Sequence, residues 1–479
     1  MTVTMTTAGS RIAGSGRIPV ENPAFGEVFA DAPACTPDEV DAVVGTAASA
    51  WPAWRALSED TRRGLLRDCG AALSAHAAEI AGLLTREQGK PLNEATAEVR
   101  LACDWFRHTA ALTLGPPERT ADDAGADVVV ERVPRGVVAA IAPSNFPVIL
   151  SVVKIAPALL AGNTVVLKPS PVCPLSTLRM GEVIGPCLPG GVLSVISGGA
   201  DVGAALTGHR DVRMVSFTGS VGSGRRIART AAESFTHVVL ELGGNDACIV
   251  LPDTDLAAVA GQIFRRSMVN AGQFCAAIKR VYVSRRQQGQ LVEALVAAAE
   301  ALTIGDGSVP GTDLGPVVSR EQRDHVSALV TQARQAGARV VTGGTPLDRP
   351  GYFYAPTVLT DLPAGTRLEA DEQFGPVIPV IAYDDVSEAV ARANATPFGL
   401  GGSVWGDETT AGEVAALLDC GTTWVNTHGE LRHDVPFGGT RSSGVGVEYG
   451  HWGLLEYTRL RVRHVERQRG AARARSCQP

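Results

Sequence analysis

The chain contains very little lysine. Of its 43 lysine and arginine residues, only Lys90, Lys154, Lys168 and Lys279 are lysines. Because arginine supplies the ordinary surface charge, each retained lysine is a candidate for a specific role, the alternative being that four remain by chance. The net charge of -7 argues against a nucleic-acid-binding surface, which is usually basic.

Cysteine spacing of the kind that binds metal is absent as well. The nine cysteines are scattered and their number is odd, and they form neither a Cys-x-x-Cys pair nor a Cys/His cluster. This pattern argues against a structural zinc site and favours reduced thiols in a cytoplasmic protein. We therefore expect no bound metal.

Long apolar runs and targeting segments are also missing. The N-terminus has no basic region followed by an apolar stretch, so it does not resemble a signal peptide. The most apolar segment, residues 148–167, is interrupted by Lys154 and Pro157, which predicts a buried helix leading into a strand rather than a membrane span. We expect the basic tail at 459–475 to be a solvated end rather than a binding arm.

What is present is a long alternation of strands and helices. Residues 37–111 are alanine-rich with helical spacing. Short apolar strands then alternate with helices over 136–241, and a second run covers 247–426. Such alternation predicts α/β domains with parallel, doubly wound sheets. The alternating segments 128–133 and 460–465 predict two more strands, which pair with each other or with a neighbouring subunit.

Two motifs indicate a nucleotide site. The glycine-rich segment Phe217–Gly224 follows a strand and opens a helix, where backbone N–H groups attract phosphate, although many such segments are only turns. Lys168-Pro-Ser170 ends another predicted strand. Strand ends at the crevice of a doubly wound sheet are where dinucleotides bind.

Three side chains are candidates for chemistry on a carbonyl group. Cys275 follows Gly272 and Gln273 in a predicted turn, and a thiolate adds to aldehydes or thioesters. Asn145 lies between two prolines and suits a hydrogen-bond donor to an oxyanion. Glu241 precedes two glycines and could transfer a proton. The ordinary alternatives are a buried inert thiol, a turn-forming asparagine and an ion-paired glutamate.

The reactivity of Cys275 depends on its neighbours. Arg265, Arg266 or Lys279 would lower the thiol pKa if they lay close to it, the alternative being solvated charges on a helix. Cys248 lies inside an apolar strand and is expected to belong to the core.

Seven motifs occur in order along the chain, and together they resemble those of the NAD(P)-dependent aldehyde dehydrogenase superfamily. They are Asn145-Phe-Pro147, Lys168-Pro-Ser170, Phe217-Thr-Gly-Ser220, Glu241-Leu-Gly-Gly-Asn245, Gly272-Gln-x-Cys275, Glu372-x-Phe-Gly-Pro376 and Pro436-Phe-Gly-Gly439. The resemblance extends from about Asn22 to Tyr457.

The resemblance implies a Rossmann-like nucleotide-binding domain, an α/β catalytic domain and a small β oligomerisation hairpin, in a homodimer or homotetramer. The nucleotide-binding domain would comprise 18–112 and 135–242, the catalytic domain 243–442, and the oligomerisation segments 113–134 and 443–470, with loose ends at 1–17 and 471–479.

The resemblance also implies a mechanism for an oxidoreductase. The Cys275 thiolate would attack the aldehyde, and Asn145 with the Cys275 N–H would hold the oxyanion. Hydride transfer to nicotinamide would leave a thioester, which water activated by Glu241 would hydrolyse. Relatives that transfer the acyl group to coenzyme A lack this glutamate, so its presence favours release of a free acid.

The cofactor implied by the resemblance is NAD, with NADP left open. Its expected contacts are Pro143, Lys168, Ser170, Gly219, Ser220, Glu372 and Phe374. Many NAD-preferring relatives have a glutamate at the position of Pro171. The glutamate carboxylate would repel the 2′-phosphate of NADP. Two other departures are Ser144 in place of tryptophan and Arg441 in place of lysine.

The expected substrate tunnel is mostly apolar, which favours an aliphatic or aromatic aldehyde. Its walls would be Phe146, Leu150, Val153, Val269, Phe274, Ala276, Leu431 and Phe437. A semialdehyde whose carboxylate binds Arg265 or Arg432 is the alternative substrate. A thiol acyltransferase or esterase without redox chemistry is the alternative reaction, but it leaves Lys168, Ser220 and Glu372 unexplained.

Overall fold

The computed structural model describes residues 3–121 and 127–466. The strands are β1 (Met5–Thr7), β2 (Ser10–Ile12), β3 (Gly16–Asn22), β4 (Glu27–Ala34), β5 (Glu118–Ala121), β6 (Asp127–Pro134), β7 (Val137–Ile141), β8 (Thr164–Lys168), β9 (Leu193–Val195), β10 (Val212–Thr218), β11 (His237–Glu241), β12 (Ala247–Val250), β13 (Arg280–Ser284), β14 (Arg339–Thr342), β15 (Thr357–Thr360), β16 (Val377–Tyr383), β17 (Gly401–Trp405), β18 (Thr422–Val425), β19 (Gly444–Val445) and β20 (Thr458–Val465).

The helices connect these strands. They are α1 (Pro37–Ala56), α2 (Glu59–Ala75), α3 (Ala77–Gln88), α4 (Leu92–Thr109), α5 (Pro147–Leu160), α6 (Leu175–Ile184), α7 (Ala200–Thr207), α8 (Val221–Ser234), α9 (Leu256–Met268), α10 (Gln288–Glu300), α11 (Arg320–Gln335), α12 (Arg367–Ala370), α13 (Val386–Asn394), α14 (Glu408–Ala415) and α15 (Gly450–Glu456). Short 3₁₀ turns lie at Gly185–Cys187, Val269–Gly272 and Arg441–Ser443.

The first sheet has eight strands in the order β19-β11-β10-β7-β8-β9-β1-β2. Strands β7 to β11 are parallel to one another, as predicted from their apolar sequences. Every residue of β8 is buried, as expected when both faces of a parallel sheet are covered. The carboxyl ends of β8, β10 and β11 carry Lys168, Thr218 and Glu241 to one edge, which is where this fold class binds its ligands.

The amino-terminal segment differs from the prediction of a loose end. Residues 5–12 form the hairpin β1–β2, which extends the first sheet through a pair between Thr6 and Val195. Met5 is fully buried there. The hairpin sequence is polar, so it does not predict two strands. The strands form because they pair with the edge of the first sheet, and not because of local hydrophobicity.

The second sheet has seven strands in the order β14-β15-β16-β13-β12-β17-β18. All neighbouring strands in it are parallel except β14, which runs antiparallel to β15. This confirms the second α/β unit predicted from the alternation over 247–426. Helix α11 and strand β15 belong to this unit and were not predicted.

A third sheet contains the order β20-β6-β5. Strand β20 pairs antiparallel with β6 along its whole length, from Thr458 opposite Pro134 to Val465 opposite Asp127. The predicted pairing of these two segments is therefore confirmed within one chain. The predicted loose tail at 471–479 lies outside the described residues.

Helices α1 to α4 confirm the helical prediction for residues 37–111.

The first of the four lysines, Lys90, lies in the loop between α3 and α4. Its Nζ is 2.6 Å from Glu98 and 2.7 Å from the Asn145 carbonyl oxygen. Both side chains of the ion pair are almost completely buried. Lys90 therefore connects α4 directly to the loop that carries Asn145.

Replacing Lys90 by methionine is expected to destabilise the protein strongly. The variant leaves the Glu98 carboxylate buried without its counter-charge, which costs about 3–5 kcal/mol in comparable proteins. The midpoint of urea unfolding measures the effect. Arg107→Met is the matched control on α4, the helix that carries Glu98, because its ion pair with Asp104 is exposed and worth at most about 1 kcal/mol. Equal shifts in the two variants would contradict this account.

No helix in residues 3–121 and 127–466 is long and apolar enough to cross a membrane. Over the same residues, no three His, Cys, Asp or Glu side chains are grouped as metal ligands.

Candidate active site

Cys275 follows a turn with an unusual backbone. Asn270, Ala271 and Gly272 all have positive φ angles, of 50°, 54° and 74°. The Gln273 side chain fixes the turn by accepting from Val318 N at 2.9 Å and donating to Asn270 O at 3.0 Å. Strained backbone of this kind persists only where its surroundings hold it, and here it presents a half-buried thiol.

Asn145 is held from three sides. Its side-chain oxygen accepts from Phe146 N at 3.0 Å, and its carbonyl oxygen accepts from Lys90 and from Asn270 Nδ2 at 2.9 Å. The last bond ties the Asn145 loop to the turn before Cys275. Because the side-chain oxygen is occupied, the amide nitrogen is the group left to donate to a ligand.

Glu241 ends β11 in a buried position, only 4% exposed. Neither of its carboxylate oxygens has a hydrogen-bond partner among the described residues. Burial raises its pKa well above the usual range, the charge of Glu448 raises it further, and Lys154 opposes them. A buried carboxyl without a partner and with a raised pKa is a typical candidate for proton transfer.

A second buried ion pair lies beside Glu241. Lys154 Nζ donates to Glu448 at 2.5 Å and to Thr218 Oγ1 at 2.7 Å. Both charged side chains are almost completely buried. The pair links α5 and β10 to the segment before α15, and places a cation and a carboxylate next to the candidate base.

One chamber brings together catalytic and cofactor candidates from distant parts of the sequence. Its volume is about 280 Å³. Its walls include Pro143, Asn145, Gly219, Ser220, Cys275, Glu372 and Phe374. Leu242 and Gly243 also line it, whereas the Glu241 side chain points behind the wall, with its Oε1 close to Gly438.

Glu372 faces this chamber with a lysine beside it. Lys279 Nζ is 3.4 Å from Glu372 Oε1 and 4.8 Å from the centre of the Phe374 ring. Gly244 N donates to the same carboxylate at 3.3 Å. A Cβ at Gly243 would lie 2.2 Å from Glu372 Oε2, so only glycine allows the carboxylate to come this close.

The thiol of Cys275 is neutral in this state. Burial raises its pKa to about 12, with a further increase from the charge of Glu372, and Lys279 opposes both. Arg265 and Arg266 are not among the groups that act on the thiol. Of Arg265, Arg266 and Lys279, only Lys279 lowers the pKa of the Cys275 thiol. Because the pKa is raised despite Lys279, the thiol needs a base to become a nucleophile.

A larger cleft of about 620 Å³ continues from the chamber along the edge of the first sheet. Lys168, Ser170, Gly219 and Ser220 line it, together with Pro143. Ser220 caps α8, and its Oγ accepts from Ser223 N at 3.4 Å. Burial lowers the pKa of Lys168 to about 8, against the opposing charge of Asp201. Strand ends, a glycine-rich turn and a buried lysine together suit a dinucleotide.

Comparisons with known proteins agree with this geometry. The profile of the aldehyde dehydrogenase family matches residues 12–463. A betaine aldehyde dehydrogenase of Cereibacter sphaeroides is 38% identical over 456 residues, covering 94% of this chain and 93% of its own. The chain belongs to the aldehyde dehydrogenase family.

Solved aldehyde dehydrogenases and related enzymes share the whole fold. The structure of an NADP-dependent enzyme from E. coli matches with a TM-score of 0.93 at 34% identity, covering 97% of this chain and 98% of its own. A lactaldehyde dehydrogenase from Escherichia coli matches with a TM-score of 0.94 at 33% identity, covering 97% and 99%. The protein is thus an oxidoreductase that oxidises an aldehyde with NAD(P).

Most of the predicted tunnel residues lie around Cys275. Phe274 and Leu431 pack with Phe437 in one apolar cluster beside the thiol, and Phe146 contacts Phe274 edge-on at 5.5 Å. Leu150 and Val269 are half-buried, and Ala276 is completely buried. Val153 is buried and lines a small cavity next to Trp105.

Several residues of this site were not predicted from the sequence. Tyr449 lies beside Phe437 and Cys275, and Trp105 contacts it edge-on at 4.8 Å. Glu448 is the partner of Lys154. The scarcity of lysine did indicate specific roles for the four that remain, since all four are buried. Lys154 and Lys279 pair with Glu448 and Glu372, and Lys90 binds the loop of Asn145.

Proposed function

We propose that this aldehyde dehydrogenase acts through a covalent intermediate on Cys275. The observation that carries the proposal is the chamber in which Cys275 and Asn145 face Glu372 and Phe374, at the end of the dinucleotide cleft. We also propose that residues 18–112 and 135–242 bind the nucleotide and that residues 243–442 form the catalytic domain.

In the first step the Cys275 sulfur attacks the aldehyde carbon. The thiol proton passes through water to solvent or to Glu241, so the attack does not depend on Glu241 alone, and the new C–S bond leaves a negative charge on the former carbonyl oxygen. The free amide nitrogen of Asn145 and the Cys275 N–H donate to this oxygen, and such donors are worth about 3–4 kcal/mol each in related chemistry.

In the second step the carbonyl group re-forms as the aldehyde C–H bond breaks. A bound NAD(P) supplies the hydride acceptor. Glu372 and Phe374 would hold the ribose end of the nicotinamide, and Lys168, Ser170, Gly219 and Ser220 would hold the rest of the cofactor along the cleft. The acyl group remains on Cys275 as a thioester.

In the third step water hydrolyses the thioester. Glu241 takes a proton from the water as the new C–O bond forms, and the C–S bond breaks to release the acid and the thiolate. The carboxylate must first turn from its position near Gly438 towards the chamber.

An uncharged aldehyde fits this site better than a semialdehyde. Arg432 is exposed and donates two hydrogen bonds to Asp434, at 2.9 and 2.6 Å. Arg265 is exposed and lies back along its own helix, 3.5 Å from the Cβ position of Gly261. Arg432 is thus already paired, and Arg265 lines neither the chamber nor the cleft, whereas the residues packed around Cys275 are apolar. We therefore propose an aliphatic or aromatic aldehyde as the substrate.

A panel of aldehydes assayed with NAD and NADP tests the proposed function. Propanal and benzaldehyde are expected to be oxidised with formation of reduced nicotinamide, and succinic semialdehyde more slowly. Hydrolysis of an ester without any nicotinamide, in the absence of aldehyde oxidation, would instead support the non-redox thiol enzyme.

NADP is the proposed cofactor of choice, because the adenosine end of the cleft is positively charged. Lys168, Arg226 and Arg229 line it, and no carboxylate appears among its described lining residues. Pro171 occupies the position where a repelling glutamate would stand. The kcat/KM value with NADP is expected to exceed that with NAD by about tenfold or more, equivalent to about 1.4 kcal/mol.

Pro171→Glu should reverse this preference by placing a carboxylate against the 2′-phosphate. Val172→Glu adds the same charge one residue further on, outside the cleft lining, and should change the ratio much less. A wild-type preference for NAD, or an equal effect of the two variants, would contradict the assignment.

Self-assembly is also proposed, as a homodimer or homotetramer. Leu460, Val462 and Val465 of β20 are between 45% and 63% exposed in the single chain. Exposed apolar side chains on a strand at a sheet edge are usually covered by a partner, and light scattering measures the assembly.

A further inference from the structure

Lys279 is buried next to the chamber that holds Cys275. It immediately precedes β13, and only 1% of its surface is exposed. It is not among the described residues that line the chamber, so it lies behind the wall rather than in it. A lysine is rarely buried this completely unless its charge is paired. Its contacts therefore indicate what it does.

Three contacts surround the Lys279 ammonium group. Its Nζ lies 3.4 Å from Glu372 Oε1, donates to Gly272 O at 3.3 Å, and is 4.8 Å from the centre of the Phe374 ring. Glu372 and Phe374 are walls of the chamber. Gly272 belongs to the strained turn that leads to Cys275. One ammonium group therefore joins the turn of the thiol to both residues proposed to receive the nicotinamide ribose.

The backbone around Glu372 is fixed separately, from α11. Gln322 donates to the two backbone carbonyl groups that follow Glu372, at 3.1 and 2.9 Å. His325 Nε2 lies 3.2 Å from the carbonyl oxygen of Glu372 itself. These contacts do not reach the side chain, whose carboxylate instead meets Lys279 and the Gly244 N–H, the latter at 3.3 Å. The direction of the carboxylate thus depends on Lys279.

The charge of Lys279 favours two anions at once. Burial raises the pKa of Glu372, Asp246 raises it further, and Lys279 and a backbone hydrogen bond oppose them. The pKa of the Cys275 thiol is raised by burial and by the charges of Glu372, Asp246 and Glu241, and Lys279 lowers it. Lys279 is the only cation among the groups that act on these two sites.

We propose that Lys279 is a positioning residue that holds the Glu372 carboxylate and the turn of Cys275 in one arrangement, so that the nicotinamide ribose binds beside the thiol. This inference rests on the proposed roles of Glu372 in cofactor binding and of Cys275 as the nucleophile. An ionised carboxylate accepts hydrogen bonds from ribose hydroxyl groups more strongly than a neutral carboxyl group does. Lys279 acts only through these two neighbours.

Lys279→Met tests the assignment through cofactor binding. Without the ammonium group, Glu372 stays protonated to a higher pH and is a weaker acceptor for the ribose. Fluorescence titration with NADP should therefore give a Kd about tenfold above the wild-type value at about pH 7, and the ratio should fall towards one at about pH 9. Lys168 and His325 are present in both proteins, so their ionisation cancels in this ratio. Lys279→Arg keeps a cation and should restore wild-type binding.

The reaction of Cys275 with iodoacetamide gives a second readout. Lys279→Met leaves the charge of Glu372 uncompensated beside the thiol, so the rate at about pH 9, measured from the mass of the Cys275 peptide, should fall about tenfold, as expected for one unit of thiol pKa. Adding Glu372→Gln removes both charges and leaves no buried ion without a partner. The double variant should recover the alkylation rate while its NADP binding stays weak.

Arg285→Met is the matched control. Arg285 follows the other end of β13, and its ion pair with Asp384 is exposed, so both readouts should keep their wild-type values. A Kd ratio that is the same at both pH values, or an alkylation rate that the double variant does not recover, would overturn the assignment, because loss of structure alone predicts both. Neither readout requires turnover. Failure of the wild type to reduce nicotinamide with any aldehyde would instead overturn the proposed function.

Discussion

Cys275→Ser is expected to abolish aldehyde oxidation while cofactor binding is retained. The serine hydroxyl is a far weaker nucleophile than a thiolate, and no other described thiol lines the chamber. A loss of at least about 10³-fold in kcat is expected for removal of a nucleophile. Steady-state formation of reduced nicotinamide measures the loss, and quenching of protein fluorescence measures cofactor binding.

Cys103→Ser is the control for this substitution. Cys103 is also half-buried, but it lies on α4 outside the described walls of the chamber and the cleft, and its replacement should leave turnover unchanged. Turnover by Cys275→Ser at the wild-type rate would rule out Cys275 as the nucleophile.

Glu241→Gln is expected to separate hydride transfer from hydrolysis. Without the carboxylate, water attacks the thioester slowly, so reduced nicotinamide should form in a burst followed by a slow phase. The steady-state rate should fall by about 10²–10⁴-fold, the usual contribution of a general base. Stopped-flow measurement of nicotinamide reduction resolves the two phases.

The same residue should set the acidic limb of the pH profile. Because the pKa of Glu241 is raised, the group is protonated at low pH and cannot accept a proton. Wild-type kcat should therefore fall as the pH drops through this raised value, at a pH above the usual carboxylate range. The glutamine variant should lack this limb, and Glu233→Gln, an exposed change on α8, should keep it. Unchanged steady-state turnover in Glu241→Gln would exclude its role in deacylation.

The parallel sheets were predictable because their strands are short, apolar and separated by helices. Val137–Ile141 and Thr164–Lys168 are buried on both faces, so their composition alone indicates a central position. The hairpin at residues 5–12 is different. Its strands are polar, and they exist because β9 offers an open edge far along the chain. A contact of that kind leaves no periodic signal in the local sequence.

Helix α11 was missed for a related reason. It is rich in polar residues, and its buried positions, such as Val326 and Leu329, are few among Arg, Gln and Asp. An apolar stripe this narrow does not by itself predict a helix. Its role is evident only once the second sheet provides the surface against which the stripe packs.

Some residues of the candidate site were expected from the sequence, but their arrangement was not. Asn145, Cys275 and Glu372 do line one chamber, because each follows or precedes an element whose position the sequence indicates. The raised pKa of Glu241 depends on its burial and on the charge of Glu448, which pairs with Lys154 from a distant part of the sequence. Tertiary contacts of this kind have no local pattern.

The measurement that tests the central claim most directly is the intact mass of Glu241→Gln during the burst. The account predicts that the protein gains the mass of one acyl group, and that the gain disappears when Cys275 is replaced as well. An unmodified mass throughout the burst, or an adduct that persists in the double variant, would contradict a thioester on Cys275.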